Sequence, residues 1–96
     1  MIDINQFKGF LNGIFPSERI YTDEFKADLQ FIEVDCFIDQ PVKLAIEISL
    51  EAIKISTVSK EPSMDFSLYE YVFDTITEAT EFILKIKETG VYPNQK

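Results

Sequence analysis

The 96-residue chain carries 17 Asp plus Glu against nine Lys plus Arg, no histidine and one cysteine, for a formal charge of −8 at pH 7. That balance disfavours direct binding to nucleic-acid backbones and anionic membrane surfaces, and the missing histidines exclude Ser-His-Asp and Cys-His triads, two-histidine zinc motifs and facial iron triads within one chain. With 46% hydrophobic and 14% aromatic residues, the composition supports one α+β domain over residues 1–96.

Asp3 followed by Gln6 has the spacing of a helix N-cap and its capping partner, and Ile4, Phe7, Phe10, Leu11 and Ile14 then recur on one helical face. Gly9 and Gly13 weaken this first helix, and Gly13 with Pro16 predicts its end.

From Phe25 to Ile38 apolar and polar residues alternate, which predicts a strand. Its phase changes once: Phe25, Ala27, Leu29 and Phe31 are odd, whereas Ile32, Val34, Cys36 and Ile38 are even. Asp39, Gln40 and Pro41 predict a turn. A second strand begins at Val42 with Leu44, Ile46, Ile48 and Leu50, then shifts phase around Glu51 and Ala52 to Ile53 and Ile55, with no hairpin signal there. Ser59 to Ser63 predict a loop. Met64, Phe66 and Leu68, followed by Tyr69, Tyr71 and Phe73, predict a third strand that also changes phase.

Paired as a meander, these strands set Val34 opposite Ile46, Ile32 opposite Ile48, Phe25 opposite Ile55, Ile55 opposite Phe66, Ile53 opposite Leu68, Leu50 opposite Tyr71 and Ile48 opposite Phe73. A one-residue shift moves every later side chain to the other face. Two explanations therefore stand: a β-bulge in each strand restores one buried face, or the sheet is two-sided with each half covered separately.

Thr75 with Glu78 predicts the start of the second helix, Ile76, Ala79, Phe82, Ile83 and Ile86 form its apolar stripe, and Gly90 predicts its C-cap. Residues 91–96 are expected to fray, with Val91 and Tyr92 able to fold back. The expected fold is an α+β domain whose three-stranded antiparallel β-meander, with long bent strands, is flanked by an N-terminal and a C-terminal helix (α-β-β-β-α).

The three glycines form neither a Walker loop nor a dinucleotide-binding fingerprint, so no cofactor and no nucleotide-dependent chemistry are expected. Cys36 lies on an apolar stripe and reads as a buried structural thiol. No apolar run is long enough to span a membrane, the opening Met-Ile-Asp-Ile-Asn lacks a targeting pattern, and a lone cysteine favours the cytoplasm. Tyr69, Tyr71 and Phe73 read as core or half-core rather than a ligand cleft.

Acid concentrates between Asp23 and Asp39. The expected register sets Glu33 opposite Glu47 with Asp35 on the same face, and like charges so placed repel unless solvated or engaged by a cation. Such a patch reads as a solvated face, a docking face for a basic protein or, less readily, an oxygen-only cation site or carboxylate pair; no loop has an EF-hand pattern. The functional expectation is a non-enzymatic acidic protein-binding module, inhibitor-like or immunity-like, that meets a basic partner through Asp28, Glu33, Asp35 and Glu47. Its alternatives are a homodimer burying the second apolar half of the sheet and a small-ligand or divalent-cation-binding protein.

Overall fold

The computed structural model describes residues 1–26, 28–60 and 67–92, apart from the side chains of 23–26 and 67–70. Helix α1 (Ile4–Ile14) is followed by a single 3₁₀ turn at Ser17–Arg19. Five strands come next, β1 (Ile20–Lys26), β2 (Leu29–Val34), β3 (Val42–Ser49), β4 (Ile53–Ser59) and β5 (Ser67–Phe73), and helix α2 (Ile76–Thr89) ends the succession. The strands form one antiparallel sheet in chain order. Among the described residues no helix is long and apolar enough to cross a membrane.

The antiparallel meander between two helices stands, but it has five strands rather than three. The expected first strand, Phe25 to Ile38, spans the end of β1, a two-residue connection and all of β2, with β1 and β2 meeting at Lys26 and Leu29. The expected second strand is a hairpin in which Ile48 pairs with Ile53. Ser49 builds that hairpin without glycine or proline: its N–H donates to the Ala52 carbonyl at 3.0 Å, and its Oγ accepts from the N–H groups of Glu51 and Ala52 at 3.3 and 3.2 Å. A Ser hydroxyl mimics a backbone turn in this way.

In the third strand the bulge reading holds. Pairing steps from Thr57↔Tyr69 to Val58↔Ser67, leaving Leu68 without a counterpart. The predicted strand positions Met64 and Phe66 lie outside the described residues.

The registers move accordingly. Val34 faces Leu44 and Ile32 faces Ile46, two residues from expectation, because the β2–β3 connection runs from Asp35 to Pro41 rather than over three residues. A two-residue slip preserves the faces. Ile55 faces Ile46 and Tyr71, and Ile53 faces Ile48 and Phe73, instead of the pairings with Phe25, Phe66 and Leu68; Ile48 and Leu50 do not reach β5.

All these devices place the apolar set on one side. Ile32 and Val34 of β2, Val42, Leu44, Ile46 and Ile48 of β3, and Ile53 and Ile55 of β4 are buried together with Ile4, Phe7 and Leu11 of α1 and Ala79, Ile83 and Ile86 of α2. Truncating one of these isoleucines or leucines to Ala costs about 2–5 kcal/mol. Both helices cover this inner face, and among the described residues the outer face carries only scattered apolar side chains such as Phe31, Val58 and Val72. Among the described residues no helix lies on the outer face, an arrangement open to antiparallel sheets.

The helix ends follow their sequence signals. Asp3 accepts from Gln6 N–H at 3.1 Å, Thr75 Oγ1 accepts from Glu78 N–H at 3.2 Å and donates to the Glu78 carboxylate at 3.1 Å, and Gly90 closes α2 at φ 78°. Gly13 does not end α1; the helix continues to Ile14, and Phe15 is its C-cap. Tyr92 does not fray. It is 2% exposed, with its ring edge-on to Phe37 at 5.5 Å.

Candidate functional site

The uncovered side of the sheet is laid out by register. Tyr21, Glu33, Ala45 and Ser56 form one row across β1 to β4; Phe31, Glu47, Lys54 and Val72 form the next across β2 to β5. Lys43 and Val58 start a third. Because Ala45 is short among longer neighbours, a hollow of about 250 Å³ opens over it, lined by Phe31, Glu33, Glu47, Lys54 and Ser56. Tyr21, Glu33, Asp35, Lys43 and Lys60 line a second hollow of the same size.

The four expected binding residues do not form one acidic cluster. Glu33, Asp35 and Glu47 share the outer side, but Glu33 faces Ala45, and Glu47 faces Phe31 and Lys54. Each is matched with a lysine: Glu33 with Lys43 at 2.6 Å, Asp35 with Lys60 at 2.7 Å and Glu47 with Lys54 at 3.8 Å. Repulsion between Glu33 and Glu47 is thus relieved within the chain. The Glu47–Lys54 pair is exposed on both sides and contributes about 0–1 kcal/mol, whereas the Asp35–Lys60 pair is largely covered.

Asp28 lies elsewhere, in the β1–β2 connection, where it lines a hollow with Leu29, Ser49, Leu50 and Glu51. Asp74 follows β5 at the same end of the sheet, and the Ile2 N–H donates to the Leu50 carbonyl there at 2.8 Å. Among the described residues no lysine or arginine pairs with Asp28, Glu51 or Asp74. Unbalanced negative charge therefore sits at the hairpin end, beside an outer face whose described charges cancel.

Sequence reasoning missed the three lysines, and with them Ala45 and Phe31. Lys54 was legible in principle: a hairpin centred on Leu50 and Glu51 sets it opposite Glu47. Lys60 required the fold, since it meets Asp35 from beyond the end of β4 and donates to the Phe37 carbonyl at 3.0 Å.

Cys36 is 5% exposed, and burial pushes its thiol up to about 11; the neighbouring Tyr92 hydroxyl acts against that rise, and the Asp35 carboxylate adds to it. Burial and a raised pKa both disfavour the thiolate form of this side chain. Burial likewise raises the Tyr92 hydroxyl, and the adjoining Cys36 adds to the shift. Gln30 and Thr57 are also buried polar residues on the inner face, 7% and 3% exposed, and Gln30 Oε1 has no partner among the described residues.

Tyr71 and Phe73 are half-buried and pack on Phe82 of α2 at 4.8 and 5.1 Å, as half-core residues. Tyr69 lies outside the described side chains. Along α2, Phe82, Lys85, Ile86, Thr89 and Val91 line a further hollow of about 320 Å³. Among the described residues no three Cys, Asp or Glu side chains converge as metal ligands do. No family model, curated protein or solved structure matches this chain.

Proposed function

We propose that this chain is a non-enzymatic protein-binding module that docks through the outer face of its sheet onto a basic partner. One observation carries the reading: both helices cover the same side, leaving an ordered face on which Ala45 opens a hollow among Phe31, Glu33, Glu47 and Ser56. A rigid sheet presents side chains at fixed spacing, which suits a partner surface better than a mobile loop does. The partner's sign follows from the remaining charge. A protein at −8, with Asp28, Glu51 and Asp74 free of ion pairs with described cations, attracts positive surfaces from a distance.

The expected roles of the four acidic residues therefore divide. Asp28 steers the approach, whereas Glu33, Asp35 and Glu47 form close contacts by exchanging a lysine of this chain for a cation of the partner. Inhibition of the partner, in the manner of an immunity protein, is the biological form this docking takes.

Capture from the native host at low ionic strength, identification of the retained protein, and surface plasmon resonance on the purified pair test the proposal. Ser56→Arg, in the middle of the outer face, abolishes binding, and Asp28→Lys with Glu51→Lys slows association about tenfold at low salt but little at high salt. Affinity insensitive to salt and unmoved by all three changes overturns it.

A further inference from the structure

We infer that the hollow over Ala45 receives one arginine side chain of the docking partner, its guanidinium lying on the Ala45 methyl and forking onto the Glu47 carboxylate. The inference rests on the docking reading and specifies its central contact.

Three features select this ligand. The first is shape. Neighbouring strands stand about 4.8 Å apart and residues on one face about 6.6 Å apart along a strand, so removing side-chain bulk at one position leaves a flat-bottomed slot about one planar group wide. Ala45 supplies that floor between Glu33 on β2 and Ser56 on β4. Phe31 walls the slot.

The second is acceptor capacity. Lys43 donates to Glu33 at 2.6 Å, and Lys60 meets Asp35 at 2.7 Å. Glu47 differs: Lys54 stays at 3.8 Å, beyond hydrogen-bond reach, and no described residue donates to this carboxylate. Both carboxylate oxygens remain open to a two-pronged donor.

The third is discrimination between cations. Lys54 already brings an ammonium group to the slot, and Lys43 occupies the carboxylate of Glu33 beside it. A further ammonium adds a point charge with no fork to match the carboxylate, whereas a guanidinium is planar, stacks on the flat floor and donates bidentately. Lys54, with 48% of its side chain exposed, turns out to solvent as the fork forms.

Protein labelled with ¹³C at its alanine methyls is titrated with N-acetyl-arginine amide and, separately, with N-acetyl-lysine amide, by NMR. The Ala45 methyl signal moves and saturates with the arginine compound, which binds about fivefold or more tighter than the lysine compound. Glu47→Gln weakens that binding about tenfold, and Ala45→Leu, which fills the slot while keeping its apolar character, removes it. Glu81→Gln, exposed on α2 on the opposite side of the sheet, leaves it unchanged.

Equal binding of the two compounds, or unaltered binding in Glu47→Gln, overturns the inference. The two readings fail separately. Saturable arginine binding without any capturable protein keeps the slot and removes the docking face, whereas capture of a basic protein without arginine binding keeps the face and removes the slot.

Discussion

Raising the pH destabilises this protein through Cys36, in an amount that can be worked out. The thiol moves from an ordinary 9.0 to about 11 on burial. Below pH about 9 the folded and unfolded states both hold the proton, so the contribution is fully present. Between about 9 and 11 the unfolded chain releases a proton that the folded chain keeps; the unfolded state then binds fewer protons, and stability falls as pH rises. A two-unit gap corresponds to about 3 kcal/mol once the folded pKa is passed, and to about 1 kcal/mol between pH 7.5 and pH 10. Cys36→Ala removes this contribution together with the part of the Tyr92 shift to which Cys36 adds. Urea unfolding followed by circular dichroism, with a reductant present, measures wild type and variant at pH 7.5, 9 and 10. The variant is less stable at neutral pH because it leaves a void, and its deficit shrinks by about 1 kcal/mol by pH 10. A deficit that stays constant across this range refutes the reasoning.

Two further outcomes follow from the backbone. Gly9→Ala and Gly13→Ala each raise stability by about 0.5–1 kcal/mol in thermal or urea unfolding, because both positions lie inside α1 and an added Cβ meets nothing within 4 Å. Ser49→Ala lowers stability by about 1 kcal/mol, whereas Ser49→Asp, which keeps an acceptor for Glu51 and Ala52 N–H, retains most of it; equal losses in the two variants count against the hydroxyl-built turn.

Both helices were legible because their signals are local. Asp3, Thr75 and Gly90 act on groups within a few residues, and the apolar stripes repeat every three or four positions. The parity of the strands was legible too: even positions in β2 and β3 and odd positions in β4 point inward, as the alternation implied. The cause of each phase change was not. A hairpin and a bulge both reverse parity, and Ser49 makes a turn with a residue type that also occurs inside strands. The edge strand β1 opens with Ile20, Tyr21 and Thr22, of which Tyr21 and Thr22 are exposed, so its pattern is faint.

Sequence alone determined the excess of negative charge, the absence of histidine chemistry, the two helices and which residues could share a buried face. Tertiary structure decided the partners of each carboxylate. Lys43, Lys54 and Lys60 reach Glu33, Glu47 and Asp35 through strand register and a loop end, none of which is a property of neighbouring residues. The same register sets Ala45 among longer side chains and so creates the hollow. Tyr92 shows the other limit: its position near the tail predicted fraying, but the apolar space beside Phe37 and Cys36 holds it. Local free energy chooses helices and alternation, whereas contacts between distant segments choose pairing, because ordering the intervening chain is compensated only when the whole core closes.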